Sequence, residues 1–341
     1  MNHSKRSALL ATVAMAAAVS TLGATAVTAQ AVPPPATRDA VPLPAQANPH
    51  FAAVERAASA GVSSTRASRQ ALAAVQARVA AYVAKNGTAY SFATYADPKG
   101  TVIVETDAPA TVSAAVTNVK KDRSLAGVTV QTRRAEKVTA LTAGLTIIPP
   151  LYGGAGLAGG NRVCTSGYPV KSASGTRSMV IAGHCFANGT PVYSNNQSVG
   201  TVTGTSFNPD AALLQGGLYA GRIRTGGVAS GASRPIVAAG SASVGYTNYC
   251  HSGRTTGERC GHTATSVTAQ LCTAVGCKFP VIRFTGGVMP QGGDAGSPFY
   301  AKDSAGGAWI RGHVIGGSST VSYVETYNKV AAHYGVTVVT G

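Results

Sequence analysis

A chain of 341 residues is long enough for a substantial core and for two folded units. Its formal charge of +16 raises nucleic acid as a partner, yet the basic residues are scattered. From residue 150 on, 13 Lys or Arg stand against 5 Asp or Glu, a balance of +8, without the one-sided clustering and interleaved aromatics that a phosphate-tracking groove needs. No specific nucleic-acid partner is therefore expected, and weak adhesion to anionic cell-wall polymers or acidic substrates is the inference that the charge supports.

Lys5 and Arg6 precede an apolar, alanine-rich run over residues 8–27, and Ala29-Gln30-Ala31 has the small-x-small form of a signal-peptidase site. The run is only marginally hydrophobic and no later segment has the length and apolarity to span a bilayer. An export signal over residues 1–31 is expected, with no membrane association of the mature, extracellular protein. Residues 32–49, with Pro33-Pro34-Pro35, Pro42 and Pro44, read as an extended linker.

A helix-and-strand unit follows over residues 50–135. Ser63 and Ser64 are candidate caps for a helix reaching about residue 85, whose Leu72, Val75, Val79, Tyr82 and Val83 recur at helical spacing. Strands are expected at 88–95 and 101–106, joined by the turn Asp97-Pro98-Lys99-Gly100, then a helix at 109–122 and a strand at 127–132.

Near Arg133 the composition shifts to Gly, Ser and Thr with short β-branched runs, the pattern of an all-β sandwich or barrel. Strands are expected over 179–182, 200–203, 211–214, 266–271, 280–284 and 308–315, then a helix at 326–334 and a last strand at 336–339. All six cysteines lie in this part, at Cys164, Cys185, Cys250, Cys260, Cys272 and Cys277. Export favours disulfides. Of the 15 possible connectivities, chain order and short gaps favour Cys164 with Cys185, Cys250 with Cys260 and Cys272 with Cys277. No Cys-x-x-Cys pair occurs, so neither a metal site nor a cofactor is expected.

Three stretches carry chemistry. Ile181-Ala182-Gly183-His184-Cys185 places a histidine at the end of an apolar strand beside a cysteine, where a rigidly held imidazole suits general-base work near neutral pH. Asn208-Pro209-Asp210 sets an acid immediately before the apolar run Ala211-Ala212-Leu213-Leu214, where a carboxylate is able to orient that imidazole. The third is Gly292-Gly293-Asp294-Ala295-Gly296-Ser297-Pro298.

This last stretch resembles the Gly-Asp-Ser-Gly-Gly-Pro nucleophile turn of chymotrypsin-fold serine proteases, with Ala295 in the nucleophile's place. His184 and Asp210 match the other two triad members in order and context. The run Cys250-His251-Ser252-Gly253-Arg254-Thr255-Thr256-Gly257 is similar to the disulfide loop of the α-lytic protease and streptogrisin branch. The resemblance spans about residues 145–341, and residues 50–135 more loosely resemble that branch's pro-region, so a zymogen with a trypsin-like protease domain over 136–341 is implied. It implies two antiparallel six-stranded β-barrels, an oxyanion hole from the amides of Gly293 and Ala295, and substrate contacts at Gly316, Gly317 and the pocket residue Met289. It also implies a peptide or protein as substrate or ligand, the chain's own pro-region as an internal partner, and a monomer.

The departures from that pattern bear on activity. Alanine at 295 offers no lone pair, and the alternative nucleophile, Ser297, stands two residues further on. Ile315 stands where the branch places a serine bonded to the triad acid, and no cysteine follows Cys277 to bracket the specificity pocket. Met289 in place of an acid argues for an apolar or small-residue pocket. The expectation is a secreted protease homologue without ordinary peptidase activity, against an active endopeptidase or a cell-wall-binding module.

Overall fold

Short β-branched runs punctuated by glycine turns fold here into two β-barrels preceded by a small α+β region. The computed structural model describes residues 66–87, 90–117, 127–137, 149–273 and 276–341. The expected export signal, the linker and the caps Ser63 and Ser64 lie outside these residues.

The N-terminal region comprises α1 (Arg66–Asn86), β1 (Phe92–Ala96), β2 (Val102–Thr106), α2 (Ala110–Thr117) and β3 (Val130–Arg134). Ala71, Leu72, Val75 and Val79 recur every three or four residues, so a single stripe of α1 is apolar and packs on Phe92, Val102 and Val104 of the sheet. The β1–β2 turn forms because the Asp97 carboxylate accepts the amides of Lys99 and Thr101. β3 runs parallel to β2, with α2 in the connection, as parallel neighbours require a crossover.

The remaining elements are β4 (Leu151–Gly153), β5 (Gly156–Gly159), β6 (Arg162–Thr165), β7 (Pro169–Ser172), β8 (Arg177–Ile181), β9 (Pro191–Ser194), β10 (Gln197–Ser206), β11 (Ala211–Gln215) and β12 (Tyr219–Arg224). They continue with β13 (Ser233–Ala239), β14 (Tyr249–Gly253), β15 (Gly257–Thr273), β16 (Gly276–Thr285), β17 (Pro298–Lys302), β18 (Ala308–Gly317), β19 (Ser322–Thr326), α3 (Tyr327–Tyr334) and β20 (Val336–Val338). Each strand expected from the β-branched runs is present, most of them longer than the run that signalled it.

An eight-stranded sheet in the order β20-β7-β8-β11-β10-β9-β5-β6 makes the first barrel. In the second, β15, β14, β17, β18, β19 and β16 pair in turn, and β16 returns to β15, so the ring closes. Six strands is thus the count of this ring, whereas the first sheet has eight, the C-terminal β20 among them. Two pairings in the barrel region, β4 with β12 and β13 with β18, are parallel, where antiparallel strands were expected throughout. Leu157, Met179, Ile181, Phe284, Phe299 and Val314 lie in one apolar cluster contributed by both barrels.

The N-terminal sheet joins the second barrel directly. β1 pairs antiparallel with the far end of β15, Phe92 opposite Cys272. Ala93, Tyr95 and Ile103 share a cluster with Leu271, Val281, Ile315 and Tyr323, and the Arg283 guanidinium holds the Glu105 carboxylate at 2.8 Å. Ile315 is thus a core residue facing the N-terminal sheet.

Candidate active site

β8 and β11 are neighbours with Ile181 opposite Ala212, so the residues leaving one strand and entering the other are brought side by side. These are His184 and Asp210. Between them the chain passes closely: a Cβ on Gly183 would lie 2.3 Å from the Ser206 carbonyl oxygen, so only glycine fits there. The Cys164–Cys185 disulfide anchors the other side of the histidine.

The Asp210 carboxylate accepts the His184 amide at 2.9 Å through Oδ1 and contacts His184 Nδ1 at 2.8 Å through Oδ2. With Nδ1 as the donor, the Nε2 lone pair is left available, and Nε2 is buried without a hydrogen-bond partner. This is the orientation a general base requires. Burial opposes ionisation of Asp210, but the charge and hydrogen bond of His184, followed by Lys278 and His313, hold its carboxyl well below the usual carboxylate range.

Three of the groups around Asp210 were not singled out in the sequence. Lys278 reaches the same Oδ2 at 3.5 Å while its ammonium sits over the Phe207 ring. Glu325 accepts the Asp210 amide at 2.8 Å and is paired with Lys329, and burial pushes its carboxyl upward despite that lysine. His313 donates from Nε2 to the Asp210 carbonyl oxygen at 2.8 Å; burial lowers it to about 4, so it is neutral at pH 7. A carboxylate closing the short run Val321-Ser322-Tyr323-Val324 was the one available signal, for Glu325.

The turn over 292–298 is bolted to both barrels. Thr165 at the end of β6 donates its amide to the Ala295 carbonyl oxygen at 2.8 Å and its hydroxyl to that of Gly293 at 2.6 Å. On the other side, the Gly296 amide donates to Val314 and the Val314 amide to Ser297. Gly293 and Gly296 have φ of 101° and 89°, values that glycine adopts without strain. Among the described residues, neither the Gly293 nor the Ala295 amide donates to another backbone group.

Ala295 and Ser297 are both fully buried. The Ser297 hydroxyl has no hydrogen-bond partner, and neither has His184 Nε2, so the two do not bond to each other. Ser297 instead fixes the turn through its backbone, donating to Asp294 and accepting from Val314.

Two cavities flank the site. One of about 560 Å³ is lined by Met289, Gly292, Gly317 and Ser318 together with Glu136 and Lys137, and the Glu136 carboxylate accepts the Ser319 hydroxyl at 2.7 Å. The other, about 460 Å³, is lined by His184, Cys185, Phe186 and Arg162. Gly316 lies beside Gly317 on β18, its carbonyl oxygen accepting the Ser322 hydroxyl at 2.7 Å. The three disulfides are Cys164–Cys185, Cys250–Cys260 and Cys272–Cys277. Among the described residues, no helix is long and apolar enough to cross a membrane.

No family model matches the chain, and no curated protein matches it. Solved structures do. Protease A of Thermobifida fusca is 26% identical over 56% of this chain and 98% of its own, with a TM-score of 0.47. A Nocardiopsis protease is 24% identical over 55% and 98%, with a TM-score of 0.48. A chymotrypsin of Cellulomonas bogoriensis is 26% identical over 56% and 98%, with a TM-score of 0.46.

Proposed function

We propose that the chain is a secreted homologue of serine endopeptidases, made as a precursor, which keeps a peptide-binding cleft and has lost ordinary peptidase activity. Residues 1–31 are the export signal, 32–49 a linker, 50–135 the pro-region and 136–341 the protease-like domain. His184 and Asp210 are the base and its orienting acid, Gly293 and Ala295 the oxyanion donors, and Met289, Gly316 and Gly317 the substrate contacts. The observation that carries this reading is the His184–Asp210 pair. It is assembled and aligned, with Nε2 unclaimed, in a molecule whose nucleophile turn presents a methyl group at 295.

Without a nucleophile, the base has no proton to take and no acyl-enzyme forms, a loss on the order of a millionfold in kcat. Ser297 does not replace it, because its hydroxyl is buried in the turn and makes no bond to His184. Ala295→Ser is the direct test. The variant is expected to gain peptidase activity and to be labelled by a fluorophosphonate at residue 295, while the unaltered protein stays unlabelled and remains one uncut chain. Labelling of the unaltered protein that Ser297→Ala abolishes would overturn the proposal.

A further inference from the structure

Behind the nucleophile turn lies a row of buried polar groups that the proposed function does not use. Asp294 Oδ2 is 2.8 Å from Thr256 Oγ1, which is 2.8 Å from His251 Nε2. His251 Nδ1 is in turn 2.8 Å from His262 Nε2, and His262 Nδ1 is 2.6 Å from the Gly286 carbonyl oxygen. Four consecutive contacts at hydrogen-bonding distance need four protons, one in each.

The protons can be counted from the Gly286 end. A carbonyl oxygen only accepts, so His262 Nδ1 carries a hydrogen; a neutral His262 then has a bare Nε2, which takes its hydrogen from His251 Nδ1. A neutral His251 likewise has a bare Nε2 and takes the Thr256 hydroxyl hydrogen. Nothing remains for the contact between Thr256 Oγ1 and Asp294 Oδ2. With Asp294 ionised and both histidines neutral the row holds three protons for four bonds, and two oxygens would face each other lone pair to lone pair in a buried site, an arrangement that is costly.

We propose that Asp294 is a carboxylic acid at neutral pH, donating its proton to Thr256 at the head of a proton wire that runs through His251 and His262 to Gly286. Shifting one proton from Asp294 to Thr256 and another from Thr256 to His251 gives a carboxylate and an imidazolium with the same total, so the wire stores one proton in either form. The neutral form avoids separating charge in an interior lined by the rings of Phe284 and Phe299.

Two cations face the row: Arg259, on the His251 side, opposes an imidazolium there, whereas Arg254, on the Asp294 side, favours the carboxylate. Burial raises the Asp294 carboxyl, against the opposing bonds from the amides of Gln291, Thr255 and Thr256. Burial, then His262 and Arg259, push His251 well below its usual value, and burial lowers His262. The wire links the turn that bears Gly293 and Ala295 to Gly286, whose neighbour Gly287 lines the Met289 cavity, so its one proton ties the turn to the cavity wall.

The decisive measurement is an infrared difference spectrum at neutral pH between the full chain and Asp294→Asn, in which the amide NH2 imitates the acid's donor. The expected result is a carboxylic-acid carbonyl band present in the unaltered protein and lost in the variant; carboxylate bands lost instead would overturn the proposal. A second measurement needs no variant: ¹⁵N spectra of the unaltered protein are expected to show His251 and His262 both neutral with the hydrogen on Nδ1, and an imidazolium at either would overturn it. The sign of the linkage is also fixed. A folded-state value raised above the unfolded one, about 3.9, gives stability that is full below that value and is lost as pH rises through the folded value. The melting temperature of the unaltered protein should fall across that window relative to Asp294→Asn.

Discussion

Asp210 has partners well beyond the imidazole it contacts: two bonds from His184, the ammonium of Lys278, an amide bond to Glu325 and a carbonyl bond from His313. In an Ala295→Ser background, Asp210→Asn should lower kcat by about 10⁴, because the amide presents a donor to Nδ1 and turns the imidazole to the wrong tautomer. The pH dependence of stability follows from its depressed carboxyl. Its contribution is present above the unfolded value of about 3.9 and lost as pH falls below it, so the melting curve of the unaltered protein should decline in acid more steeply than that of Asp210→Asn. His184 and Asp210 could be read from the chain because each has a local setting, an apolar strand on one side and a turn on the other. Lys278, His313 and Glu325 could not. They reach Asp210 only through the pairing of β16 with β19 and β19 with β18, which no local pattern encodes.

At the scale of elements, the strands announced by β-branched runs were legible and those built from small or interrupted residues were not. The run 211–214 became β11 almost unchanged. By contrast, β14 was hidden inside the motif Cys250-His251-Ser252-Gly253, where the residues read as a disulfide loop rather than as a fully buried strand. The β15–β16 hairpin bears the load between the N-terminal region and the second barrel, and its two fastenings differ in kind. Glu105 and Arg283 form a nearly buried ion pair with three contacts from the guanidinium, and the Arg283 charge also lies over the Tyr95 ring. Glu105→Ala strands that cation, and a loss of about 3 kcal/mol is expected in chemical denaturation. Cys272 and Cys277 are 5 positions apart, so the double serine variant loses only a short closed loop, about 2 kcal/mol, against about 3 kcal/mol for removing Cys164–Cys185 with its separation of 21.

For the whole molecule, the all-β class, the disulfide-rich second half and the preceding α+β region were all readable from composition and spacing. The way the N-terminal sheet extends the second barrel was not, because its register rests on the backbone of β1 and β15 and on apolar residues drawn from both regions. That continuity decides where hydrogen-bonding edges are exposed. A closed ring offers no free edge, but β15 runs past the ring, and β1 and then β2 and β3 cover its outer end in sequence. The last of these, β3, has Gln131, Arg133 and Arg134 exposed, and charge at an outer strand deters the addition of further strands. A chain beginning at residue 136 would move the outer edge to β15 and uncover the apolar neighbours Leu271, Val281 and Tyr323. It is expected to associate with itself in light scattering, and a fragment carrying residues 50–135 added in trans should suppress that association. The N-terminal sheet therefore guards a barrel that is open to unwanted strand pairing at one place, and it ends the sheet in a strand too charged to recruit another.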